Sequence, residues 1–335
     1  MRTTPLLLIF GSMMVFMASV FLMVIMPAIE MNDLKPSEIW RQMSSDEFEG
    51  SNLFVNNGCS YCHSQYIRST DWDIGAERIT EAGDFWSQNP AILGTERIGP
   101  DLAQEGGEHS DDWHLAHFMN PRFTRPESLM PNWAFLGEKK IRLLIAYVQS
   151  KGLKNADYRV KRQKKWHDEA VLSYSKGPDA NIAWLHNNIP DGWRKLPNPY
   201  PDTEAALLRG KKMFQTFCIG CHGPIGDGMG EARPYINPPP LNFTTLRRHL
   251  EDGRYIGGIL YYQIMNGITG TAMPYFKKDL ESEKIWDLSN YIGVYFLGYT
   301  DANVDPKGIE ASYEPYYPNQ FEPPKFKFDL KMESP

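Results

Sequence analysis

The sequence predicts an all-α protein: one N-terminal helix able to span a membrane, then two copies of one helical domain. Three observations predict it. Residues 6–29 form an almost unbroken apolar run. The pattern Cys-x-x-Cys-His occurs twice, as Cys59-Ser60-Tyr61-Cys62-His63 and as Cys218-Ile219-Gly220-Cys221-His222. The motifs flanking the first copy return in the same order around the second. Each motif alone is weak, but an ordered series met twice marks a duplicated unit.

The run from Leu6 to Ile29 meets the roughly 20 apolar residues that a helix needs to cross a hydrocarbon core of about 30 Å. A cleaved signal peptide usually has a shorter apolar region and a small-residue cleavage site, and no clear site of that kind follows here. Residues 1–30 therefore read as a transmembrane anchor. Arg2 precedes the run, and Lys35 and Arg41 follow it, so basic residues orient it poorly.

Ser44 and Glu47 have the spacing of a capping box and predict a helix to about Asn57. A second helix is predicted from near Ser110 to before Pro121, because proline ends a helix and biases its predecessor out of helical geometry. Ile141, Leu144, Ile145 and Val148 recur at helical spacing between Glu138 and Lys151, and Gly152 closes that helix. Residues 31–152 thus form the first domain and 153–200 a linker, with Pro197, Pro199 and Pro201 at its end. Lys151, Lys154, Arg159, Lys161, Arg162, Lys164 and Lys165 read as a solvated basic face.

Residues 201–300 repeat the first domain. Gly210 stands four residues before Phe214, as Gly50 stands before Phe54. Met265-Asn266 echoes Met119-Asn120, Met273-Pro274 echoes Met130-Pro131, and Tyr291-Ile292 echoes Tyr147-Val148. Gly50 and Gly210 make sense if the first and last helices of each domain cross closely, since a missing side chain lets backbones approach. Residues 301–335, rich in Pro and aromatics, read as an extended C-terminal tail.

Cys-x-x-Cys-His is the attachment signature of a c-type haem. The two sulfurs bond covalently to the porphyrin edge, and the adjacent imidazole reaches the iron. A redox dithiol or half a zinc site is the competing reading of a single copy. Two copies that use all four cysteines of the chain leave that reading little room. The sequence therefore predicts two covalently attached haems, on Cys59 and Cys62 and on Cys218 and Cys221, with His63 and His222 as axial ligands. Met130 and Met273 are the candidates for the opposite axial positions. Thioether sulfur suits Fe(II) and raises the potential relative to bis-histidine ligation, and the following prolines stiffen each loop. Arg97, beside the Gly99-Pro100 turn, is the candidate propionate contact. Pro224 is expected near the carbonyl that orients His222. His109, His114 and His117 read as surface or structural residues. Composition fits this picture: 42% of the chain is hydrophobic, with 17 Phe, 17 Tyr and 9 Trp for cores and haem-pocket walls. A net charge of −6 gives no nucleic-acid signal.

Both repeated units resemble class I cytochrome c domains. In the first, Gly58-Cys59, the run Tyr61 to Arg68, Arg97 to Leu102, Ser110 to His114, Asn120-Pro121-Arg122 and Pro126 to Pro131 resemble the membrane-anchored mono-haem subunit of cbb-type haem–copper oxidases. That resemblance implies a single-pass subunit of a bacterial inner membrane, with its N-terminus cytoplasmic and its haem domains periplasmic. It implies electron transfer from a soluble or membrane-bound cytochrome c donor to a haem–copper catalytic subunit, among other small membrane subunits. The second cytochrome domain departs from that pattern and reads as a fusion. The alternatives are the electron-transfer subunit of a nitric oxide reductase, a free-standing anchored shuttle, and a di-haem peroxidase. The last needs an open iron position, which the two methionines argue against.

Overall fold

The computed structural model describes residues 5–298 except 75, 89, 95, 195, 201 and 247–257 and the side chains at 72–74. Arg2, Pro201 and the tail from 301 to 335 lie outside the described residues. The architecture among the described residues is helical, without strands.

Helix α1, Pro5–Asn32, is long and apolar enough to cross a membrane, and none of it packs inside the protein. It widens by one residue per turn over Phe21–Ile25. Pro27 explains the position, because its missing N–H leaves the Met23 carbonyl without its usual donor.

The first unit is built on α2 (Ser45–Asn56), α3 (Asp111–Met119) and α4 (Glu138–Gln149). The expected capping box starts α2. Glu47 N–H donates to Ser44 Oγ at 3.3 Å, and Ser44 N–H to a Glu47 carboxylate oxygen at 2.7 Å. Arg41 binds the same carboxylate through two nitrogens at 2.6 Å. Ser110 caps α3, and Asn120-Pro121 ends it. Ile141, Leu144, Ile145 and Val148 form the buried face of α4.

α2 and α4 cross where Gly50 meets α4. A Cβ on Gly50 would collide with the Leu143 carbonyl and lie 2.8 Å from Tyr147 Cβ. The Phe54 and Tyr147 rings pack beside the crossing at 5.3 Å. The second unit repeats the device with α7 (Glu204–Phe217) and α9 (Ser282–Tyr291). A Cβ on Gly210 would collide with the Asp287 carbonyl and lie 2.7 Å from Tyr291 Cβ. Phe214 and Tyr291 pack at 5.7 Å. Helix α8, Gly258–Asn266, corresponds to α3.

The segment between the units is itself helical. α5 (Leu153–Ser175) runs from the first unit to the second, and α6 (Pro178–Asn187) folds back on it. Lys154, Lys161, Arg162, Lys164 and Lys165 are exposed or half-exposed, as a solvated face requires. Lys151 and Arg159 depart from that reading. Arg159 donates to the carbonyls of Gly106 at 2.7 Å and Gln104 at 2.9 Å. Lys151 is 9% exposed, with its ammonium 3.7 Å from the Tyr147 ring centre.

The two units pack directly on each other. Trp113 and Ala116 of α3 share an apolar cluster with Ala232, Ile236 and Ala272. Gly220, inside the second Cys-x-x-Cys-His, lies so close to the Phe123 carbonyl that a Cβ would not fit. Arg125 pairs with Asp279 at 2.9 Å, and Asn237 N–H donates to Asp112 at 2.9 Å. At the far end of α5, His167 Nδ1–H donates to the Gly270 carbonyl at 3.0 Å.

Candidate haem sites

In the second unit α7 ends at Cys218, and a single helical turn, Ile219–His222, carries the rest of the motif. Gly223, at φ 75°, follows the turn. The loop 236–243 returns to the imidazole. His222 Nδ1–H donates to the Leu241 carbonyl at 3.1 Å, and Phe243 stacks on the ring at 4.7 Å. The orienting carbonyl is therefore that of Leu241, not one near Pro224. With Nδ1–H committed, Nε2 keeps its lone pair for a metal. Burial also holds the free imidazole neutral by pushing its pKa down to about 4.

Cys218, Cys221, His222 and Met273 line one open cleft. Its walls are mostly apolar, including Phe214, Phe243, Ile264 and Ile292. They also include Trp113 and Thr124 of the first unit and Trp184 and Leu185 of α6. The cleft is thus completed from outside the repeated domain. Burial pushes the Cys221 thiol up to about 12 and the Cys218 thiol further still. Burial thus keeps both thiols protonated at neutral pH in the free protein. Two sulfurs, an imidazole with a free Nε2 and a thioether on one apolar cleft fit a covalently bound haem.

The first unit uses the same imidazole device. His63 Nδ1–H donates to the Pro100 carbonyl at 2.9 Å. Gly99 lies flat against the ring, where a Cβ would come within 2.8 Å of both ring nitrogens. Cys59 and Met130 pack on one apolar cluster with Phe54, Leu102 and Leu115. Burial pushes the Cys59 thiol up to about 11.

The methionine loops share a detail beyond the following proline. Met130 N–H donates to Ser128 Oγ at 3.2 Å, and Met273 N–H donates to Thr271 Oγ1 at 3.1 Å. A hydroxyl two residues earlier fixes both turns, a Ser/Thr-x-Met-Pro pattern visible in the sequence. Each carbonyl is held too, by Arg122 Nη1 at 3.0 Å for Met130 and by Ile268 N–H at 3.1 Å for Met273.

Arg97 stands on an acidic network. Its Nε donates to Ser64 Oγ at 2.8 Å, and its Nη2 to the Tyr66 carbonyl at 2.7 Å and to Asp71 at 2.8 Å. Hydrogen bonds from Arg97 and Arg68 hold the Asp71 carboxyl well below the usual carboxylate range. His114, expected at the surface or in a structural role, is 3% exposed, and burial pushes its pKa down to about 4. His117 is driven to about 3 for the same first cause. Its Nδ1 shares a hydrogen bond with Thr124 Oγ1 at 2.6 Å.

Helical units, close helix crossings and imidazoles oriented by carbonyls define a cytochrome c architecture behind a membrane anchor. The comparisons narrow that class. The profile of the family described as "Cytochrome C oxidase, mono-heme subunit/FixO" matches residues 1–184, more than half of the 335, and that of "Cytochrome c" matches residues 207–293. The chain belongs to the mono-haem subunit family of cbb-type cytochrome c oxidases and carries a second cytochrome c domain fused behind it. Membership makes it a membrane-anchored electron-transfer subunit that works beside a catalytic subunit, with covalently bound c-type haem. No curated protein sequence matches. Among solved structures, a chain of the Kuenenia stuttgartiensis reducing HAO-like protein complex aligns at 19% identity and a TM-score of 0.26. The alignment covers 76% of this chain and 98% of that one, and the low score carries no argument.

Proposed function

We propose that the chain is a di-haem relay of a cbb-type oxidase, carrying electrons from a cytochrome c donor to the haem–copper subunit that reduces oxygen. In this reading Cys59, Cys62 and His63 with Met130 hold one haem, and Cys218, Cys221 and His222 with Met273 hold the other. Bound there, each haem supplies reversible one-electron chemistry. The chain's residues orient the imidazoles, exclude water and present thioether sulfur, which favours the reduced iron. Arg97, beside Ser64 and the His63 loop, is the proposed cation for a propionate of the first haem.

The observation that carries the reading is the second cleft. Its wall includes Trp113 and Thr124 from the unit that bears the first attachment motif. A haem held there would sit against the first unit rather than at the end of a free tether. Domain order then suggests that the second haem receives electrons and the first, next to the anchor, delivers them. We place the anchor with its N-terminus in the cytoplasm and both haem domains in the periplasm of a bacterial inner membrane, because such haems are attached on the exported side.

Oxygen consumption by the complex purified through this chain, driven by an artificial reductant, tests the proposal. Fast, cyanide-sensitive uptake is expected. Consumption of nitric oxide but not oxygen would move the reading to a nitric oxide reductase. Recovery of the chain without a large membrane partner would make it a free shuttle.

A further inference from the structure

We propose that Glu105, His109 and His114 form a binding site for a divalent first-row transition cation, separate from both haem sites. The three residues come together across a turn and the first helical turn of α3. Glu105 Oε1 lies 2.6 Å from His109 Nδ1 and 3.7 Å from His114 Nε2. The three prospective ligand atoms all fall within 4.8 Å of one another. Small side-chain shifts bring such a set to the ~2.0–2.2 Å that zinc requires from imidazole and carboxylate.

The second observation is His114 itself. It is 3% exposed, and its Nε2 has no hydrogen-bond partner although it faces the Glu105 carboxylate. Buried polar atoms normally find a partner, so an orphan aimed at a carboxylate calls for an explanation. A cation between them supplies one.

The cluster is held from several sides. The His109 ring is clamped between Trp113 at 3.8 Å and Tyr275 of the second unit at 5.8 Å. Gln149 of α4 donates to the His109 carbonyl at 3.0 Å, and Arg159 of α5 to the Gly106 carbonyl at 2.7 Å. On binding, His109 Nδ1 exchanges its proton for the cation, and that proton moves to Nε2 or to solvent. Two imidazole nitrogens and one carboxylate oxygen suit Zn²⁺, Fe²⁺ or Cu²⁺ better than Ca²⁺ or Mg²⁺. Three protein ligands also leave a position for water. The cation would fasten the 105–109 turn to α3 next to Tyr275, whose hydroxyl donates to Glu108 at 3.1 Å. The site therefore lies where the two units meet.

The inference does not rest on the oxidase reading, and its test does not use electron transfer. The haem-loaded full chain is stripped with a chelator in detergent, dialysed against micromolar zinc chloride, and assayed for bound zinc. One zinc per chain is expected, with binding at least tenfold weaker in Glu105→Gln and in His114→Ala and haem spectra unchanged in both. Should a variant lose its haem, zinc-edge X-ray absorption of the wild type decides, with two imidazoles and a carboxylate expected around the zinc. Failure of the wild type to retain zinc, equal binding by the variants, or a first shell without histidine overturns the proposal.

Discussion

Replacing Gly50 or Gly210 with alanine tests the helix crossing that builds each helical unit. The added Cβ would stand 2.8 Å from Tyr147 Cβ in the first unit and 2.7 Å from Tyr291 Cβ in the second, and would also overlap a backbone carbonyl. Carbon atoms sit best about 3.5–4.0 Å apart, so each crossing would have to open by roughly 1 Å. Alanine gains about 1 kcal/mol of helix propensity over glycine. Overpacking against a rigid backbone costs about 1–3 kcal/mol and occasionally more, and separating the helices also loosens the buried Phe54–Tyr147 or Phe214–Tyr291 pair. We expect a net loss of about 1–2 kcal/mol for either variant, read as a lower guanidinium midpoint of the haem-loaded protein by circular dichroism. Gly192→Ala is the control, since nothing lies within 4 Å of the place its Cβ would take and it should be neutral or slightly stabilising. Gly50→Ala and Gly210→Ala variants as stable as the Gly192→Ala protein would refute the close-crossing argument.

Three further outcomes follow from the same geometry. Burial lowers the Lys151 pKa to about 7, so between pH 7 and its unfolded value near 10.4 the unfolded chain binds more protons and stability rises with pH. At about 1.36 kcal/mol per unit the ceiling is roughly 4–5 kcal/mol, reduced by attraction of the ammonium to the Tyr147 ring. Lys151→Met should flatten that rise and stabilise the protein at pH 7, and unfolding titrations from pH 6.5 to 10 that match wild type would contradict the burial argument. Gly99→Ala should push the His63 ring off the Pro100 carbonyl and, on the proposed two-haem reading, leave the haem at His63 high-spin while the one at His222 keeps its spectrum, which electron paramagnetic resonance distinguishes. Met130→His should keep the haem attached but lower its potential by a sizeable part of the roughly 0.8 V that axial ligands span, and an unchanged redox titration would mean that Met130 is not the ligand.

The local signals are legible because their causes are local. Ser44 and Glu47 cap one helix, Ser110 and Pro121 bound another, and Gly50 and Gly210 announce crossings through their spacing to Phe54 and Phe214. What the sequence hides depends on contacts distant along the chain. The carbonyl that orients His222 comes from Leu241, 19 residues on, and not from the neighbourhood of Pro224 that the sequence offers first. Lys151 and Arg159 belong to a basic stretch whose other members face solvent, and only the packing of α4 and α5 on the 104–107 turn buries these two. His109 and His114 have the local pattern of a solvated helix start. His114 is buried beside Glu105, His109 and Trp113, and His109 stacks against Trp113 and Tyr275 of the second unit, contacts that no local pattern reports. The hydroxyl before each methionine is a readable signal that the following prolines overshadow, since Ser128 and Thr271 stand at the same offset from Met130 and Met273.

The central claim is that one chain carries two haems. The intact mass of the denatured native protein tests it most directly, because thioether-linked haem survives denaturation. The account predicts the polypeptide mass plus two haems, falling to one when Cys218 and Cys221 are replaced by alanine and to one when Cys59 and Cys62 are replaced. A native mass with a single haem would contradict it, and the two cysteine-pair variants would show which motif carries that haem.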